Sequence, residues 1–237
     1  MGVAIEGADA FLDYLAEWER NLAPSSLREV TEQAGDPAHV GVFSVDMING
    51  FCHQGALQSD RVKGIIRPIT DLMTRAHDLG VRQFVLTQDA HPPDAVEFND
   101  FPPHCIRGTS EAETIPEIRS LPFSNEFTVM EKRSLHSALD TELDPWLNAH
   151  PEVTHRIVVG DCTDLCTYQL AMHLKLSANA RNQRLPVIVP ADCVQTYDLP
   201  VEVARNLGIM AHPGDLFHSL FLYHMALNGC RVVSRLT

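Results

Sequence analysis

Positive charge is scarce in this chain. Its 18 lysines and arginines face 31 acids, which leaves a formal net charge of -13 at pH 7. Such a balance excludes the usual nucleic-acid binder, which needs a basic face, and it disfavours an anionic membrane surface as partner. Long apolar runs are missing too, and none approaches the roughly 20 residues of a membrane span. Residues 1–20 carry acids early, with no basic segment followed by an apolar one, so no secretory signal is expected. A disulfide framework is absent as well. The six cysteines (Cys52, Cys105, Cys162, Cys166, Cys193 and Cys230) have no regular spacing, and 237 residues is long for such scaffolds. A reducing, cytoplasmic setting is expected, with most of the cysteines acting as small buried hydrophobes. Internal repeats and low-complexity tracts are also lacking.

What is present suits one large domain with an appendage, since 45% of the residues are hydrophobic. Residues 1–36 read as a helical arm: Phe11, Leu12, Leu15 and Trp18 fall at helical spacing, and Pro24-Ser25-Ser26 marks a break before a second helix. The arm is expected to pack on the body or on a neighbouring subunit. The body, residues 37–237, alternates strands (40–46, 81–87, 127–130, 156–159, 186–189 and 230–233) with helices (62–79, 139–149, 163–180 and 200–210). Strands alternating with helices predict an α/β fold with a parallel sheet covered on both faces. Between Gln88 and about Asn125 lies a loop-rich stretch with six prolines, long and stiff enough to suggest function.

In such sheets the ligand lies beyond the carboxyl ends of the strands. Asp46 ends the first strand, Asp89 and His91 follow the second, Lys132 follows the third, and Cys166 lies beyond the fourth. Taken singly, each has an ordinary reading, as a helix cap, turn residue or solvated charge. Capable groups after four successive strands, all at one edge, are harder to dismiss. Cys166 follows a strand, a glycine and a short turn, then opens a helix, where free N–H groups and the helix dipole are expected to favour thiolate. Asp46 is a candidate base for it and Lys132 a candidate cation. Asp89-Ala90-His91 allows a carboxylate and an imidazole to converge on one ion, and Glu97 and His104 lie farther along the same loop. Two imidazoles with one or two carboxylates suit zinc, manganese or iron.

These segments resemble a known family. Val45-Asp46-Met47-Ile48-Asn49-Gly50-Phe51, Asp89-Ala90-His91-Pro92, Phe101-Pro102-Pro103-His104-Cys105, Glu131-Lys132 and Gly160-Asp161-Cys162-Thr163-Asp164-Leu165-Cys166 occur in the order of the isochorismatase-like cysteine hydrolases. The likeness covers about residues 38–234 and points to the nicotinamidase branch. It implies a three-layer α/β/α sandwich with a six-stranded parallel sheet of order 3-2-1-4-5-6. It also implies a catalytic triad of Asp46, Lys132 and Cys166, and an oxyanion hole from the backbone N–H groups of Cys162 and Cys166, with a cis peptide before Cys162. A divalent transition metal would sit on Asp89, His91 and His104, with Glu97 as a fourth ligand; zinc is the first choice, with manganese and iron as alternatives. The substrate implied is a small amide, nicotinamide first, its pyridine nitrogen on the metal and its ring between Phe51, Phe101 and Leu139. Ile48 stands where glutamine is common, Gly50 where an acid is usual, and Leu139 where many nicotinamidases have an aromatic. Other cysteine amidases of this fold, acting on ureido, carbamoyl or maleamate-like amides, remain open. So do an isochorismatase-type hydrolase or binding domain and a non-catalytic metal protein. A homo-oligomer is compatible with the arm.

Overall fold

The computed structural model describes residues 6–237; residues 1–5 of the expected arm lie outside the described residues. The helices are α1 (Ala8–Arg20), α2 (Leu27–Ala34), α3 (Asn49–Cys52), α4 (Asp60–Lys63), α5 (Ile66–Asp78), α6 (Pro116–Arg119), α7 (Leu143–Ala149), α8 (Cys166–Ala180), α9 (Val201–Leu207) and α10 (Gly214–Leu227). The strands are β1 (Val40–Val45), β2 (Gln83–Asp89), β3 (Phe127–Lys132), β4 (His155–Asp161), β5 (Val187–Pro190), β6 (Val194–Gln195) and β7 (Arg231–Val233).

The strand pairings of the sheet are parallel, and it runs β3-β2-β1-β4-β5-β7. This is the expected order, with one refinement: the last strand is seventh in the chain. The two-residue β6 pairs with the far end of β4, at Gly160 and Asp161, where β5 no longer reaches. Side chains alternate between faces along each strand. Val42, Leu86, Ile157 and Val159 pack with Leu27 and Val30 of α2 and with Ile69, Leu72 and Met73 of α5. Phe43, Val45, Val85 and Val158 pack with Leu143 and Leu147 of α7, Leu170 and Leu174 of α8, and Leu222 and Met225 of α10. The result is the three-layer sandwich.

Several boundaries differ from expectation. The helix expected over 62–79 is two helices, interrupted around Gly64. The helix expected from Leu139 begins only at Leu143, because Asp140 is left-handed (φ 54°) and a side-chain-bearing residue in that conformation breaks a right-handed helix. β3 continues to Lys132, so this lysine ends the strand instead of following it. The helix after β4 starts at Cys166, not Thr163.

The arm lies on the chain's own body. Trp18 and Phe11 of α1 meet Tyr223 of α10 edge-on, with ring centroids 5.3 and 5.7 Å away. Ser25 N–H donates to Arg235 O (2.9 Å) and Leu27 N–H to Thr237 O (2.8 Å), which ties the start of α2 to the C-terminal segment. No helix among the described residues is long and apolar enough to cross a membrane.

Candidate active site

β1, β2 and β3 lie side by side, with Asp89 paired to Lys132 in register, so their last residues meet at one edge. Asp46 follows β1 with φ 53°, a left-handed conformation that aspartate tolerates better than most residues. Asp46 Oδ1 accepts the Asp89 backbone N–H at 2.8 Å. Lys132 Nζ stands 2.7 Å from Asp46 Oδ2, 2.5 Å from Asp89 Oδ1 and 3.5 Å from Cys166 Sγ, and also donates to Ser134 O at 3.2 Å. The Asp46 and Asp89 carboxylates and Cys166 Sγ all lie within 4.8 Å of one another. Lys132 contacts Asp46 Oδ2 without hydrogen-bond alignment, and that oxygen has no other partner. It is therefore free to accept a thiol proton.

The electrostatics correct one expectation. Cys166 is 6% exposed, and burial pushes its thiol well above the ordinary cysteine range; Lys132 works against this, while Asp46 and Asp89 add to it. Desolvation and the two carboxylates thus oppose the thiolate that a helix N-terminus would favour, and a base beside the thiol is called for. Asp46 is suited to that role: burial and Asp89 raise its carboxyl to about 6 against the pull of Lys132. Burial alone would lower the Lys132 pKa, but Asp46 and Asp89 hold it well above the usual lysine value. Asp89 moves the other way: burial raises it, but Lys132, His104 and His91 outweigh that and hold it below the usual carboxylate range.

Beside these groups, Asp89, His91 and His104 offer ligand atoms within 4.8 Å of one another, all buried. His91 is 0% exposed, yet neither ring nitrogen has a hydrogen-bond partner. Its Nε2 lies 3.5 Å from Asp89 Oδ2. His104 Nδ1 bonds Pro102 O at 2.8 Å, which turns Nε2 toward the same carboxylate oxygen, 3.8 Å away. A buried imidazole without partners is costly, and a second imidazole oriented by a carbonyl is the usual setting of a metal ligand. The donor set fits a divalent metal. Glu97 stands outside this trio. Its Oε1 is buried without a partner, and burial and Asp89 raise its carboxyl.

Phe51 and Phe101 both approach the His104 ring, with centroids 5.7 and 6.3 Å away. Leu139 is 63% exposed and lines a cavity of 590 Å³ together with Pro92, Val96, Glu97, Arg133 and Ser134. That cavity reaches Glu97, but neither Phe51 nor Phe101 lines it. Sequence reasoning missed Phe98, whose ring lies 5.5 Å from His91 and 5.7 Å from His104; its place three residues before Phe101 in one loop was the available signal. It also missed the Ser134 carbonyl on Lys132, which no side-chain pattern announces. On the other flank, the Asp161–Cys162 peptide is cis. Cys166 is the first residue of α8, so its N–H has no intrahelical partner. Both residues expected to form the oxyanion hole thus bound one short turn.

The isochorismatase domain family model matches residues 40–217. Nicotinamidase 1 of Arabidopsis thaliana is 30% identical over 216 residues, covering 84% of this chain and 86% of that protein. Among solved structures, the pyrazinamidase of Pyrococcus horikoshii in complex with zinc superposes with a TM-score of 0.63 at 20% identity, covering 82% of this chain and 98% of the other. The N-carbamoylsarcosine amidase of Thermoplasma acidophilum gives 0.61 at 24%, covering 81% and 94%.

Proposed function

The chain belongs to the isochorismatase family, and from that premise we propose that it is a metal-assisted cysteine amidohydrolase whose substrate is nicotinamide, released as nicotinate and ammonia. The observation that carries this reading is the meeting of a buried thiol, two carboxylates and a buried ammonium at one sheet edge. Asp46 Oδ2 takes the proton of Cys166, and the thiolate adds to the amide carbonyl carbon. The charge that develops on the carbonyl oxygen is met by the N–H groups of Cys162 and Cys166. Asp46 returns its proton to the departing nitrogen, ammonia leaves, and a thioester remains. Water, deprotonated by the same carboxylate, hydrolyses the thioester and restores the thiol. Lys132 stays charged throughout and offsets whichever of Asp46 and Cys166 is anionic.

Asp89, His91 and His104 would hold the metal, with Glu97 close by. Zinc is favoured by the donor set and by the zinc in the Pyrococcus relative. When bound, the ion supplies a Lewis-acid anchor for a substrate lone pair such as a pyridine nitrogen. Phe51, Phe98 and Phe101 surround the imidazole of His104 and would wall an aromatic ring set beside it.

A second reading, an amidase for a carbamoyl, ureido or maleamate-like amide, is favoured by the exposure of Leu139, which leaves one side of the cavity without an aromatic wall. Ammonia release from nicotinamide, pyrazinamide, a ureidoacrylate and a maleamate separates the two. Nicotinamide is expected to turn over fastest, with activity lost in Cys166→Ala. Faster turnover of an open-chain amide would favour the second reading, and full activity in Cys166→Ala would end both. Elemental analysis of the purified protein should find one equivalent of metal, lost in His104→Ala and kept in Glu97→Gln.

A further inference from the structure

Asp164 lies inside the turn that separates Cys162 from Cys166, and it is buried. The N-cap position of α8 is Leu165, and no side chain, that of Asp164 included, caps the helix. Instead, Asp164 Oδ2 meets His212 Nε2 at 2.7 Å, 48 residues away in the chain. His212 Nδ1 faces Tyr197 O at 3.0 Å. Both ring nitrogens thus face oxygen acceptors, which orient the ring. The imidazole is 6% exposed and lies between two aromatic rings, Tyr197 at 3.9 Å (13° between planes) and Phe217 at 4.3 Å (28°). Such stacking fixes the plane of the ring.

The anchor is itself held. His212 and Leu199 exchange backbone hydrogen bonds at 2.9 and 2.7 Å. Asp198 accepts the Gly214 N–H at 2.7 Å, and Arg61 Nε donates to Thr196 O at 3.0 Å. The neighbouring residue of the turn is tied to the same wall: Thr163 N–H donates to Gln195 O at 3.0 Å, and Thr163 Oγ1 contacts His218 Nδ1 at 2.9 Å. Removing Asp164 from water without a partner would cost several kcal/mol, so this contact holds the turn to the wall.

We propose that His212 and Asp164 are a positioning pair which fixes the turn from Cys162 to Cys166 so that its two backbone N–H groups converge where the oxyanion forms. This rests on the amidase reading above. Neither residue touches the reacting atoms. The pair acts through the turn, and its effect falls on the transition state, where a displacement of about 1 Å can cost on the order of a hundredfold in rate. Substrate binding by the metal-side residues and the nucleophilicity of Cys166 do not depend on it.

The test compares wild type with His212→Ala, His212→Gln, Asp164→Asn and the double variant His212→Ala/Asp164→Asn. Three quantities are read: kcat and KM for ammonia release from nicotinamide, the rate of Cys166 alkylation by iodoacetamide followed by peptide mass spectrometry, and the folded fraction by circular dichroism. Alkylation forms no oxyanion, so it reports the thiol alone. The expected result is a fall in kcat of about 10- to 100-fold in His212→Ala, with KM and the alkylation rate within twofold of wild type. His212→Gln, which keeps one N–H for Asp164, should recover part of the loss. The double variant should be no slower than the worse single one. The pairing would be overturned by unchanged kcat in His212→Ala, or by a fall in kcat that matches the loss of folded fraction while alkylation of the buried Cys166 speeds up as the chain opens. Failure of every variant to fold would likewise make the pair a stability element and overturn it. Wild-type protein that releases no ammonia from any amide overturns the amidase reading and the pairing with it, whereas an active wild type beside an unimpaired His212→Ala overturns the pairing alone.

Discussion

At Cys166 two influences oppose each other, and their sizes decide the chemistry. A helix N-terminus offers a thiolate about 1 kcal/mol or less at an exposed site. Withdrawing the charge from water into a site that already holds two carboxylates costs more, and the thiol is pushed up. The position of Cys166 was therefore legible in the sequence, but its protonation was not, because that depends on burial and on side chains from three other strands. Asp46, Asp89 and His91 were legible as candidates because each sits at or just beyond a strand end, and His104 because a second imidazole in the same loop completes a donor set suited to a metal. The division of Asp46 between Oδ1, which accepts the Asp89 N–H, and Oδ2, which faces Lys132 without an aligned hydrogen bond, was not. Lys132 carries the largest energetic consequence. It is fully buried between Asp46 and Asp89, and removing one partner of a buried ion pair costs about 3–5 kcal/mol. Lys132→Met should lower the unfolding free energy read from a urea melt by that amount, whereas Cys166→Ala, which removes one sulfur atom, should cost only about 1 kcal/mol. Equal midpoints for the two variants would mean that Asp46 and Asp89 do not depend on the ammonium for their compensation.

β4, its turn and α8 form the element on which the site depends most. Gly160, the next-to-last residue of β4, has φ +116°, and a Cβ there would stand 2.0 Å from Val45 O and 2.7 Å from Val45 N. β1 and β4 can therefore meet one residue before Asp46 only if this position is glycine. Gly160→Ala combines an unfavourable backbone conformation with a backbone clash that no rotamer relieves. It should lower stability by about 3 kcal/mol or more, and activity should fall even where folded protein is recovered, since Asp46 and the Asp161–Cys162 step flank the contact. A urea melt matching wild type would show that β1 shifts freely. The strand and the glycine were legible in the apolar run that ends at Gly160. The long-range ties of the turn, to Gln195, His212 and His218, were not, since they join residues 32 to 55 positions apart (163 to 195 and 163 to 218). The late start of α7 had the same cause at shorter range: hydrophobic spacing favoured a helix from Leu139, and the left-handed Asp140 overrode it.

Across the whole molecule, the strand–helix alternation fixes which residues can meet, and this is why the sheet order followed from the sequence while the two-residue β6 did not. A period-2 pattern cannot be read from two residues. The arm tests how far the site is independent of its surroundings. α1 rests on α10 through Trp18, Phe11 and Tyr223, on the layer that also carries α8, yet none of its side chains reaches Asp46, Lys132 or Cys166 among the contacts described. A half-buried tryptophan in an edge-on aromatic pair contributes about 2 kcal/mol, part of it from the pair geometry itself. Trp18→Ala should therefore lower the thermal midpoint by a few degrees while kcat and KM for ammonia release stay within twofold of wild type. The opposite pattern, an unchanged midpoint with a collapsed kcat, would place the arm's influence on α10 and hence on the His218 contact to the nucleophile turn. The arm would then belong to the catalytic unit and not merely cover its outer layer.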